Sequence, residues 1–76
     1  MNVTFEITLA PFNDEYKSQI LNFISAIKSS GFKITENALS TDIEGDFEAI
    51  MDFLKSELSN ALELVDKGMI FIKIKK

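Results

Sequence analysis

The sequence predicts an α+β domain built in the order βαββαβ, with a four-stranded antiparallel sheet of strand order 4-1-3-2 and two helices on one face. Three observations carry that prediction. Four stretches alternate apolar and polar residues at the period of two expected of half-buried strands, two stretches repeat apolar residues at helical spacing, and glycines stand where each helix should stop. The stretches form a strand-helix-strand unit used twice, and right-handed crossovers leave both helices on the same side of the sheet.

Val3, Phe5, Ile7 and Leu9 alternate with Asn2, Thr4, Glu6 and Thr8 as the first strand. Pro11 ends it, because a proline ring removes a ladder donor. Asn13 or Asp14 can cap the following helix, where Tyr16, Ile20, Phe23, Ile24 and Ile27 make one apolar stripe. Gly31 is placed to take the left-handed conformation that closes a helix. On a second strand, 32–36, Phe32 and Ile34 point inward and Lys33 and Thr35 outward, and a turn near Asn37 joins it to the third as a hairpin. In the third strand Leu39, Thr41 and Ile43 alternate with Ser40, Asp42 and Glu44 until Gly45 breaks the pattern. Asp46 caps the second helix, whose stripe is Phe47, Ile50, Met51, Leu54, Leu58, Ala61, Leu62 and Val65. Lys67-Gly68 repeats the stop, and Met69 to Lys75 is the fourth strand with Ile70, Ile72 and Ile74 inward. Residues 1–76 are thus read as a single ferredoxin-like domain. The third strand is interior, and Thr41 is the inward position where an aliphatic residue would pack more simply.

Composition narrows the function. A chain of 76 residues buries only a little over about 60% of its unfolded surface, so self-association is a natural supplement. No apolar run reaches the roughly 18 residues needed to span a bilayer and no signal peptide is visible, so a cytoplasmic protein without membrane insertion is expected. There is no Cys, His, Arg or Trp, which removes thiolate and imidazole nucleophiles, the usual zinc ligands and the guanidinium clamp for phosphate. A non-enzyme with no cofactor and no metal is the expectation. Eight lysines against twelve acids give a net charge of -4, the wrong sign for a nucleic-acid partner. The sheet face turned away from the helices is mixed, with Thr4, Glu6, Thr8, Ser40, Asp42, Glu44, Met69, Phe71 and Lys73.

Several segments point further when taken together: Ala10-Pro11-Phe12 at the end of a strand, Asn13-Asp14-x-Tyr16 opening a helix, Ser29-Ser30-Gly31-Phe32 closing it, and the strand-glycine-helix block 39–55. They resemble the YkoF-like family of thiamine- and hydroxymethylpyrimidine-binding proteins over nearly the whole chain. The most specific part is Ser40, Thr41, Ile43 and Gly45, supported by Pro11 and Tyr16; Ala10 stands where the family usually has an aromatic residue. The resemblance implies a ferredoxin-like domain that binds thiamine or its pyrimidine precursor without transforming it, for sequestration or delivery. It also implies pairing with a second such domain, here as a homo-oligomer.

The chemistry of that ligand class can be set against the residues directly. A pyrimidine with an exocyclic amine needs donors and acceptors inside a mostly apolar slot, and Ser40, Thr41 and Asn13 are of the right type. The thiazolium cation favours a carboxylate or an aromatic face, for which Glu6, Asp42, Glu44, Tyr16 and Phe71 are available. The expected ligand-binding set is Pro11, Asn13, Tyr16, Ser40, Thr41, Asp42 and Phe71. Each has a plainer role open to it. A Thr41 hydroxyl can bond a neighbouring carbonyl, the acids can be solvated, Phe71 and Met69 can form an oligomer contact, and Lys73, Lys75 and Lys76 can guard an edge strand. The alternative function is an ACT-like interaction or regulatory module that acts through oligomerisation or binds another small metabolite.

Overall fold

The computed structural model describes residues 1–11, 16–63 and 67–76, for 11 and 16–20 the backbone alone. The elements are β1 (Asn2–Pro11), α1 (Tyr16–Lys28), β2 (Lys33–Glu36), β3 (Thr41–Asp46), α2 (Phe47–Glu63) and β4 (Gly68–Lys75). The sheet order is β2-β3-β1-β4 and every pair is antiparallel, which is the predicted ferredoxin-like arrangement read from its other edge.

The alternation in β1 does what its period requires. Val3, Phe5 and Ile7 are buried, and Phe5 lies opposite Ile43 of β3 on one side and Ile74 of β4 on the other. Phe23 and Ile27 from α1 and Ile50, Leu54 and Ala61 from α2 close the same core. Burying each large aliphatic or aromatic side chain contributes about 1.5–3 kcal/mol. Two aromatic pairs, Phe5 with Phe47 at 5.9 Å and Phe32 with Phe53 at 5.7 Å, tie the ends of α2 and β2 to that core.

Helix ends follow their sequence signals. Gly31 has φ 89°, the left-handed turn expected after α1, and the Ser30 hydroxyl donates to the Ile27 carbonyl while accepting from Phe32 N–H. Asp46 caps α2 by accepting from the Ala49 N–H at 3.2 Å. The capping positions proposed at Asn13 and Asp14, and the stripe residue Val65, lie outside the described residues.

The structure corrects two expectations and sharpens others. Leu39 is not an inward strand residue: it is 86% exposed, because the hairpin turn occupies 37–40 and β3 starts only at Thr41. Gly45 lies within β3, opposite Val3, and the strand runs through it into α2 as the strand-glycine-helix reading expects. Its need for glycine is spatial, since a Cβ there would stand 3.0 Å from the Phe32 ring and 3.6 Å from Ile50. β4 starts at Gly68, opposite Pro11, one residue earlier than expected. Met51 and Leu62 on the α2 stripe, and Ile72 and Ile74 on the inward side of β4, remain 40–51% exposed. The reason for the β4 pair is position, since β4 ends the sheet and has no strand on its far side.

Two outcomes test this account of the fold. Gly45→Val forces its side chain into the Phe32 ring and should cost about 1–3 kcal/mol, read as a lower denaturant midpoint at unchanged slope; an equal or higher midpoint would show the space to be available. The second concerns Asp46, whose carboxyl is held below its ordinary value of 3.8 first by the Met1 ammonium at 3.1 Å and then by the Ala49 N–H. A carboxyl depressed on folding contributes stability that is present above its unfolded value and lost as pH falls through the folded one. The stability gap between the native chain and Asp46→Asn should therefore shrink on acidification below 3.8. A gap that stays constant from neutral pH into that range contradicts the ion pair between Asp46 and the Met1 ammonium.

Candidate functional site

The turn between β2 and β3 sets the geometry of the site. Asn37 N–H donates to the Ser40 carbonyl at 2.8 Å and its side-chain amide donates to Ser40 Oγ at 3.2 Å, so β3 begins at Thr41, opposite Ile7 of β1. The strand β1 continues past that point. Its far side is held by β4 as far as Pro11, through the pairs Leu9 with Ile70, Ala10 with Met69 and Pro11 with Gly68. From Thr8 onward the side of β1 that faced β3 has no strand partner among the described residues. A strand in that position offers a row of N–H and C=O groups to whatever lies beside it.

A cleft of about 480 Å³ fills the gap, bordered by Thr8, Leu9 and Ala10, by Phe23 and Ile24 of α1, and by the segment from Glu36 to Thr41. That is within the range of small-molecule pockets, roughly 300–1,000 Å³. Its walls are chiefly apolar, from Ile7, Leu9, Phe23, Ile24 and Leu39, and its polar groups are the hydroxyls of Ser40 and Thr41, the Asn37 amide and the Glu36 carboxylate. Glu36 Oε1 sits 2.6 Å from Lys28 Nζ, with both side chains about half exposed. An ion pair that wet is worth at most about 1 kcal/mol, so a ligand cation can compete for the carboxylate.

Thr41 is 5% exposed and the one buried polar residue among those described, and it stands at the cleft as its inward position predicted. Among the described residues its hydroxyl has no side-chain hydrogen bond. Ser40 is half-buried at the rim, where Oγ donates to Glu6 Oε2 at 3.3 Å. Asp42 alternates with Thr41 and so faces the other side of the sheet, across from Glu6 and Thr35, with Oδ1 buried and unpartnered among the described residues. Phe71 is also on that outer face, opposite Thr8 and half exposed. Pro11 ends β1 and Tyr16 opens α1, both described by backbone alone; Asn13 lies outside the described residues. The structure thus brings Ser40 and Thr41 together with Ala10, and separates them from Asp42 and Phe71.

Residue-type reasoning missed Glu36, Asn37 and the bare side of β1. In the structure β1 runs ten residues against six for β3, and the excess leaves main chain without a ladder on that side among the described residues. The sequence alternation, which runs back to Leu39, conceals that difference.

A family model described as thiamine-binding protein matches residues 5–76. The chain belongs to the thiamine-binding protein family. Membership agrees with the resemblance carried by Ser40, Thr41, Ile43 and Gly45, and it supports a small-molecule-binding role. No curated protein matches. Among solved structures, a Thermotoga maritima protein proposed to act in thiamine biosynthesis or salvage is 26% identical with a TM-score of 0.90, covering 100% of this chain and 84% of its own. A Streptococcus pneumoniae protein at 20% identity and TM-score 0.91 covers 100% of this chain and 87% of its own. A domain of unknown function from Bacillus cereus has 20% identity and TM-score 0.83, covering 100% of this chain and 76% of its own. The latter two show the fold alone. The thiamine-binding family model spans every element that borders the cleft, from Phe5 in β1 through the turn at 37–40. No helix among the described residues is long and apolar enough to cross a membrane.

Proposed function

We propose that the domain binds thiamine or its hydroxymethylpyrimidine moiety, without transforming it, in the cleft between the end of β1 and the turn 37–40. The observation that carries this reading is the buried Thr41 beside a length of β1 with no strand partner. An aminopyrimidine is a flat ring with donors and acceptors along its edge, and a bare strand edge offers the same alternation of N–H and C=O groups. Phe23, Ile24 and Leu9 supply apolar walls for the ring faces, and Thr41, Ser40 and Asn37 supply polar groups at fixed positions. Glu36 at the same cleft offers the thiazolium cation a carboxylate.

The non-enzymatic part of the proposal follows from what lines the cleft. Among the described residues that line the cleft, Glu36 is the only titratable side chain, which supports a holding role over acid-base chemistry on a bound ring. Holding the vitamer for sequestration or delivery needs no more than the groups already named. Pro11, where β1 stops, and Tyr16, where α1 starts, flank Asn13 in sequence, and we assign the three to the border of this site. Asp42 and Phe71, on the opposite face, are given no contact in it.

Replacing Thr41 by Val keeps shape and β-branching while removing the hydroxyl. The variant should stay folded, losing about 0.5–1.5 kcal/mol, and should bind thiamine about tenfold more weakly in calorimetric titration, the equivalent of about 1.4 kcal/mol. Unchanged affinity in a folded Thr41→Val protein removes this site. Thermal stabilisation by amino acids rather than by the vitamers would favour the ACT-like alternative.

Phosphorylation of the ligand should work against binding. The chain has no arginine, and Lys28, beside the cleft's Glu36, is engaged with that carboxylate, which would repel a phosphate. Thiamine pyrophosphate is therefore expected to bind more weakly than thiamine at matched ionic strength, and equal affinity for the two would contradict the placement.

A further inference from the structure

Ser40 stands where the cleft meets the outer face of the sheet, and its hydroxyl has one proton to give. Asn37 fixes its place twice, since the main-chain N–H donates to the Ser40 carbonyl at 2.8 Å and the side-chain amide donates to Ser40 Oγ at 3.2 Å. On the other side lies Glu6, half-buried on β1, with Oε2 3.3 Å from Ser40 Oγ. An ionised carboxylate accepts hydrogen bonds and cannot donate one, so the proton between the two is that of Ser40. A hydroxyl has two lone pairs besides its proton. With the proton turned to Glu6 and one lone pair taken by Asn37, what Ser40 has left for the cleft is a lone pair.

The two oxygens of Glu6 serve different partners. Oε1 lies 3.8 Å from Nζ of Lys73, which stands opposite on β4 and is largely exposed, and that wet pair leaves Oε2 to Ser40. The other neutral polar groups of the cleft have no such fixed sense. The Thr41 hydroxyl, with no side-chain hydrogen bond among the described residues, can turn either way, and the Asn37 amide keeps its oxygen and a second N–H. The bare length of β1 offers N–H and C=O groups alike. Ser40 is therefore the group there that can tell a ligand donor from a ligand acceptor.

We propose that Glu6 is a positioning residue for the cleft: from the outer face of the sheet it makes Ser40 an obligate acceptor, which selects pyrimidines bearing an exocyclic amine over those bearing a carbonyl in its place. Resting on the cleft as the vitamer site, this role puts the amine at Ser40. An amine N–H there meets the remaining lone pair. A carbonyl sets lone pair against lone pair, and satisfying it would take the Ser40 proton from Glu6 and leave that carboxylate oxygen without its donor. A mismatch of this kind lets a site reject an analogue of nearly equal size. For one hydrogen bond to a charged group, the preference amounts to about ten- to a hundredfold in affinity.

Calorimetric titration of the full chain with thiamine and with its oxo analogue, in which a carbonyl replaces the exocyclic amine, tests the assignment. Both ligands carry the same thiazolium, so effects of protein charge cancel in their ratio. The native chain should prefer thiamine by about ten- to a hundredfold. Glu6→Gln is of the same size but offers Ser40 a partner that can donate, which frees the hydroxyl proton for the cleft. The preference should then collapse toward parity, with the oxo analogue bound more tightly than by the native chain, a gain that mere structural damage does not produce. Lys73→Met removes the other contact of Glu6 and should keep the native preference. Ser40→Ala should lose the preference, and adding Glu6→Gln to it should change the ratio no further. A native-like preference in Glu6→Gln, or an equal loss in Lys73→Met, overturns the role of Glu6. If Glu6→Gln does not fold, Ser40→Ala decides, and a preference that survives without the hydroxyl overturns the assignment. Failure of the native chain to bind thiamine overturns the cleft as the vitamer site and this role together, whereas Thr41-dependent binding with a ratio indifferent to Glu6 overturns this role alone.

Discussion

Everything at the cleft depends on β3 starting late. The Asn37–Ser40 backbone hydrogen bond at 2.8 Å closes the turn and lets the ladder with β1 begin at Thr41 and Ile7, while β4 holds β1 in strand conformation four residues further. Main-chain groups in that overhang have no partner on one side. Left dry they would cost about 1–3 kcal/mol each, so they stay hydrated or are satisfied by a ligand. A flat heterocycle that satisfies them while covering Leu9, Phe23 and Ile24 gains on both counts, which is why this mismatch in strand length is a binding feature rather than a defect.

Much of the fold was legible because each element announces itself locally. The Val3-Phe5-Ile7 alternation, the left-handed Gly31 and the Asp46 cap each have one physical solution, and the structure contains it. Leu39 was misread because its alternation with Thr41 and Ile43 is real in sequence, but the turn it belongs to is set by a main-chain bond that leaves no trace in side-chain pattern. The reason a glycine is needed at 45 was hidden on related grounds, since the ring that excludes a Cβ there comes from Phe32. The candidate site was half legible. Thr41 and Ser40 were found by residue type, but Asp42 was grouped with them although its alternation with Thr41 already placed it on the opposite face.

The acids of the chain are arranged so that few of them reach the cleft. Glu6 is shared between the Ser40 hydroxyl at 3.3 Å and Lys73 at 3.8 Å, and Glu44 lies 3.6 Å from Lys33, all on the outer face. These exposed pairs add little stability but hold the outer face near local neutrality. Glu36 is different, because it borders the cleft and its lysine partner approaches from α1. The net charge of -4 favours the approach of a cation in general, and Glu36 is the group positioned to make that preference local. Ser40 links the two faces, since its hydroxyl borders the cleft while bonding an outer-face carboxylate.

The central claim is that the vitamer lies against the bare side of β1 on the helix side of the sheet, and backbone amide chemical-shift mapping during a thiamine titration tests it most directly. The account predicts shifts concentrated at Thr8, Leu9 and Ala10 and at Glu36 to Thr41. Shifts concentrated instead at Glu6, Asp42, Glu44 and Phe71 would place the ligand on the outer face and contradict it.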